Sequence, residues 1–118
     1  MRFPAVVLMA GLTMAGLAML GGCRSRYIEA TVRNASGAAV NVVEVDYPSA
    51  SFGKETLAEG AEYRYRFKIQ GDGPVKVLWT DAGNREHSVA GPVLREGEEG
   101  TLTVTLQASD ATWDLLKR

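Results

Sequence analysis

The chain of 118 residues contains one histidine, His87, and one cysteine, Cys23, so the side chains most used for proton transfer and nucleophilic attack each occur once. A lone imidazole binds a metal or moves a proton only if carboxylates are brought to it from elsewhere in the chain. His87 follows the turn sequence Asp81-Ala82-Gly83-Asn84 and reads as a surface strand residue. None of Ser49, Ser51, Ser88 and Ser109 lies in the glycine-flanked strand-to-helix elbow that exposes a nucleophilic hydroxyl. Glu96, Glu98 and Glu99, with Gly97 and Gly100, make an oxygen-rich loop but lack the alternating acidic spacing of an EF-hand, so a solvated hairpin loop accounts for them. Asp72, Asp81 and Glu86 read as turn and surface residues. The expectation is a protein with no catalytic residues, no metal ligands and no dissociable cofactor.

Tyr63, Tyr65, Trp79 and Trp113 have the chemistry of a sugar-stacking platform or a protein-contact patch. Strand phase places Tyr63, Tyr65 and Phe67 opposite Arg64 and Arg66, which assigns them to a core. Tyr47, Pro48 and Phe52 surround an apparent loop and remain as the expected contact site. Formal net charge is −1, and Lys and Arg are interspersed with Asp and Glu, so the broad positive field needed for nucleic acid is absent.

Cys23 has a distinctive setting. Arg2 gives a positive start, Val6 to Leu20 is an apolar run interrupted only by Thr13, and Gly21 and Gly22 follow. This is the form of an export signal, and the run is shorter than the ~20 residues that cross a bilayer comfortably. Leu20-Gly21-Gly22-Cys23 resembles the lipobox of bacterial lipoproteins. The resemblance implies cleavage after Gly22 and a covalent lipid on the Cys23 thiol, carrying palmitate-type chains; the alternative is an ordinary secretory signal cut near Gly22. Two acyl chains anchor stably, at about 0.8 kcal/mol per buried methylene. Arg24, Ser25 and Arg26 alone separate Cys23 from the strand-like run at Tyr27, a reach of about 10 Å. Arg24 and Arg26 then either meet anionic headgroups or form a solvated linker. In the lipoproteins this resembles, an aspartate after the cysteine retains the protein in the inner membrane; Arg24 implies the outer membrane, facing the periplasm, where two membranes exist.

The elements that must carry these residues are strands. Removal of residues 1–22 from a chain of 118 leaves 96, the size of one domain, expected over 27–118. With no second cysteine its stability must come from packing. Tyr27 to Asn34 alternates apolar and polar residues, and Asn34-Ala35-Ser36-Gly37 breaks the run. Val40 to Tyr47 is rich in β-branched residues with a phase shift between Val42 and Val43, which predicts a central strand carrying a bulge. Pro48 to Lys54 reads as a loop before a short run at Glu55 to Ala58. Glu62 to Ile69 alternates cleanly. Val75 to Thr80 and Arg85 to Ala90 form a predicted hairpin about Asp81 to Asn84. Beyond Gly91-Pro92, Thr101 to Gln107 alternates again. Ser109 or Asp110 is placed to cap a terminal helical turn bearing Trp113 and Leu116, or the end frays.

About seven short strands with turns between them predict an all-β, antiparallel sandwich of immunoglobulin-like type, with a small closed barrel as the alternative. Leu57-Ala58-Glu59-Gly60-Ala61-Glu62-Tyr63-Arg64-Tyr65 resembles the tyrosine corner of fibronectin type III domains. That resemblance implies structural roles for Leu57, Gly60 and Tyr63, with the Tyr63 hydroxyl bonded to backbone near Glu59. It is local, because three strand-like runs follow where that family has one. The functional expectation is a non-enzymatic lipoprotein held at the membrane, binding a protein or other envelope component through sheet edges or the Pro48 to Lys54 loop. The alternatives are a carbohydrate-binding module using exposed aromatics and a purely structural envelope protein.

Overall fold

The computed structural model describes residues 26–118, so the expected export signal and Cys23 lie outside the described residues. Eight strands follow one another: β1 Ile28–Asn34, β2 Val40–Tyr47, β3 Ala50–Leu57, β4 Glu62–Phe67, β5 Gly73–Thr80, β6 Glu86–Leu94, β7 Gly100–Leu106 and β8 Ala111–Lys117. They form two four-stranded sheets, β4-β1-β7-β8 (sheet A) and β3-β2-β5-β6 (sheet B). All neighbours are antiparallel except β1 and β7, which run parallel. The all-β sandwich is as expected, and the sheets remain separate rather than closing as a barrel. The strand order is not that of an immunoglobulin domain. There the first strand pairs with the second, whereas here β1 sits between β4 and β7.

Three segments depart from the sequence expectation. The apparent loop 48–54 is a tight turn at Pro48-Ser49 followed by β3, paired with β2 from Tyr47 and Ala50 to Val40 and Leu57. Gly53, which signalled a loop, is required inside this strand: a Cβ there would collide with the Val43 carbonyl oxygen. The C-terminal segment is β8 rather than a helical turn. A single helical turn gains few hydrogen bonds in water, whereas β8 pairs along the whole of β7 and packs Trp113 and Leu115 against the core. Asp110 serves the hairpin turn, its carbonyl accepting from Gln107 N (2.8 Å) and its carboxylate from Ala111 N (2.8 Å). Gly91-Pro92 likewise does not end a strand; β6 runs through it with a shift in register.

Alternation places Ile28, Ala30 and Val32 of β1 and Leu102, Val104 and Leu106 of β7 inward, facing Val40, Val43, Val45, Val75, Val77 and Trp79 of sheet B. All are nearly inaccessible to solvent. The strand directions sort the connections into two ends. The end where the chain enters, at Arg26 and Tyr27, also carries the β2–β3, β4–β5 and β6–β7 connections; the far end carries the other four.

The far end is organised by Asn34, which is fully buried. Its Nδ2 donates to the carbonyls of Ala38 (2.8 Å) and Leu57 (2.9 Å), and its Oδ1 accepts from Ser36 N (3.0 Å) and Ser36 Oγ (2.6 Å). Its backbone N donates to Ala61 O and its carbonyl accepts from Gly60 N. One side chain therefore satisfies the polar groups where β1, the β1–β2 turn and the end of β3 meet.

Candidate functional site

The expected contact residues Tyr47, Pro48 and Phe52 do not form an exposed loop. Phe52 lies in β3, 7% exposed, with its ring 4.5 Å from Tyr65 and 5.6 Å from Phe67. Tyr47 stacks on Phe67 at 4.1 Å, and burial pushes its hydroxyl pKa up. Pro48 covers Gly73. These aromatics form a cluster joining β2 and β3 of sheet B to β4 of sheet A, because strand pairing turned the expected loop residues inward. Of the carbohydrate-platform residues, Tyr65 is exposed rather than in the core as expected, because it lies on edge strand β4, and Tyr63 is half-buried; the two tryptophans are taken up by packing. Trp79 is 1% exposed and stacks on His87 (5.0 Å), and the Trp113 ring lies against Gly91 where β6 meets β8.

At the corner, Leu57 is buried, Gly60 takes the left-handed φ of +78° that its turn needs, and Tyr63 is half-buried. The Tyr63 hydroxyl makes no hydrogen bond to the backbone near Glu59. The corner is instead held by Gly60 N on Asn34 O (2.7 Å) and Ala61 N on Ala58 O (3.0 Å). In the β6–β7 loop, Glu98 accepts from Arg95 N (3.0 Å) and pairs with Lys117 (3.0 Å), contacts that hold its carboxyl below the usual range. Glu96 accepts from Gly71 N (3.2 Å). These carboxylates fasten turns. His87 Nε2 lies 2.7 Å from Asp81 Oδ2, and Asp81 also accepts from Gly83 N and Arg85 N (both 2.9 Å). The His87 contact, then the backbone bonds, lower the Asp81 pKa. The pair secures the β5–β6 turn, and no third His, Cys, Asp or Glu joins it to make a metal-binding group among the described residues.

The unusual place is the outer face of sheet B at Val42. The predicted bulge lies between Asn41 and Glu44, and Val42 takes φ +50°, a left-handed conformation that is rare and costly for a β-branched residue. The residue is 63% exposed, although a valine would ordinarily be turned inward. Open grooves flank it. One runs beside Glu44, Leu78, Thr80 and Ser88, with a volume near 330 Å³; the other runs beside Ser51, Gly53 and Lys54, near 380 Å³. Hydrogen bonding to Asp46 and its negative charge push Glu44 above the usual carboxylate range, with Lys76 opposing. Asp46 Oδ1 is buried without a partner. The result is an apolar knob between two grooves, rimmed by carboxylates and a lysine. The phase shift at Val42-Val43 was the sequence signal for this bulge. The exposure of Val42 followed only from the positive φ.

The outer face of sheet A is polar and regular. Register aligns Arg66, Glu29, Thr101 and Leu116 in one row and Arg64, Thr31, Thr103 and Asp114 in the next. Tyr27 precedes Glu29 on this face, with Arg66 Cζ 5.1 Å and Lys68 Nζ 5.6 Å from its ring centroid. Only the Arg66–Glu29 pair, at 3.7 Å, offsets charge in the first row.

No protein-family profile matches the chain, and no curated protein sequence does. An NMR structure of a protein from Eubacterium rectale is similar in fold, with a TM-score of 0.56 and 10% identity over 79% of this chain and 91% of that one.

Proposed function

We propose that the protein is a lipid-anchored, non-enzymatic binding domain of the bacterial cell envelope, carried on an acylated Cys23 and contacting a protein partner through the Val42 face of sheet B. The observation that carries the binding face is the strained, exposed valine. A β-branched side chain held at positive φ and pointed into water costs stability without any packing return, and such strain concentrates where a surface is used. Lipobox-like residues 20–23, and the start of β1 at Ile28, support a domain kept close to the bilayer. The protein reading is favoured over the carbohydrate reading because Trp79 and Trp113 are committed to packing and the exposed Tyr65 stacks on Phe52 at 4.5 Å.

The test is site-specific photocrosslinking in intact cells, with the reactive residue at position 42 and, as a control, at Thr105 on the opposite face. A discrete adduct at 42 that is absent at 105, and is lost when Lys54 and Lys76 are both replaced by glutamate, is the expected result. Equal or absent labelling at the two positions would leave a purely structural role.

A further inference from the structure

The tethered half of the outer face of sheet A has the composition of a surface that lies on lipid, and we propose that it docks on the anionic phosphate headgroups of the bilayer holding Cys23. This inference rests on the lipid-anchor reading and adds an orientation to it: sheet A against the membrane, Val42 away from it. Arg64, Arg66 and Lys68 stand on or just beyond edge strand β4, and the Arg64 and Arg66 side chains are 78% and 61% exposed. Tyr27 is bracketed by Arg66 and Lys68, an amphipathic ring of the kind that settles at headgroup depth. Leu116, 62% exposed at the other side of the same row, adds an apolar contact that the core does not use.

Cation placement marks this face. Arg64, Arg66 and Lys68 line its β4 edge; Arg66 pairs with Glu29 at 3.7 Å and Arg64 with Glu62 at 3.4 Å, while Lys68 lies over the Tyr27 ring. Around the β6–β7 loop at the same end, Asp72, Glu96, Glu98 and Glu99 are matched by Arg26, Arg95, Lys117 and Arg118, so that side offers no cation excess to the lipid. The tether permits the orientation. Cys23 precedes β1 by only a few residues, and β1 belongs to sheet A, so at about 3.3 Å per residue the face stays within roughly 15–20 Å of the acyl chains.

The experiment uses the natural acylated protein in vesicles of phosphatidylcholine alone or with added phosphatidylglycerol, reading flotation and amide hydrogen exchange together. Flotation in both compositions, with exchange slowed at 27–29 and 63–68 only in the anionic vesicles and restored by salt, is expected. Replacing Arg64, Arg66 and Lys68 by glutamine should keep flotation and the exchange pattern seen in neutral vesicles while abolishing the added protection, each lost cation weakening docking about fivefold. Flotation with identical exchange in the two compositions overturns the docking and leaves the anchor standing. Failure to float overturns the anchor, and the docking with it.

Discussion

Asn34 holds two carbonyls, a backbone N–H and a hydroxyl with one amide side chain, at a point where water has no access. Asn34→Ala would remove the side-chain donor to the Leu57 carbonyl, leave the Ala38 carbonyl with the Ser36 hydroxyl, and is expected to lower unfolding free energy by about 1–3 kcal/mol in urea titration. Asn34→Asp should cost at least as much, since a carboxylate cannot donate to either carbonyl. Val42→Gly has the opposite sign: removing the Cβ penalty of a left-handed valine, less the entropy of a new glycine, should stabilise by up to about 1 kcal/mol while removing the knob from the binding face. A more stable variant with unchanged crosslinking at the neighbouring position 44 would argue against Val42 as a contact. Acid also acts at single residues. Asp81, Glu62 and Glu98 have folded pKa values lowered by His87, by Arg33, and by Arg95 N–H and Lys117 respectively, so each favours folding above its unfolded pKa. Thermal stability should therefore decline as pH falls below about 4.5, and Asp81→Asn should flatten part of that decline.

At the scale of elements, β6 and β8 close one flank of the sandwich where Gly91 meets the Trp113 ring. A Cβ at position 91 would come 2.5 Å from that ring, so Gly91→Ala should destabilise by about 1–3 kcal/mol and Trp113→Leu should partly rescue it, a coupling that a double-mutant cycle measures. The elements whose pattern was purely local were legible in the sequence. β1, β4 and β7 alternate because one face is wet, and the Val42-Val43 phase shift announced the bulge before any pairing was known. β3 and β8 were hidden for reasons that are also physical. Gly53 signals a break unless the bulge it accommodates is seen on the adjacent strand, and Asp110 satisfies the rules for a helix cap and a hairpin turn equally well. The contact residues followed the same division: Phe52 was misplaced with the loop, whereas the exposure of Arg64 and Arg66 was correct with the strand. Asn34 read only as a breaker, since its partners lie at sequence distances that periodicity does not reach.

On the proposed lipid anchoring, the whole molecule has two faces and one attachment point. Cys23→Ser is expected to move the protein out of the membrane fraction, and unchanged partitioning would contradict acylation. A domain fixed this way is also pulled this way, because a partner gripping sheet B would load the chain through β1. That strand lies between an antiparallel and a parallel neighbour, with register running from Ile28 to Asn34 along β7. Tension along its axis is shared across every rung of both ladders at once, so rupture requires sliding and not peeling. Single-molecule extension from the amino-terminal side should meet a higher breaking force than extension from β8, which has one paired flank and can unzip; the proposed membrane link would thus enter the fold at its mechanically firmer strand.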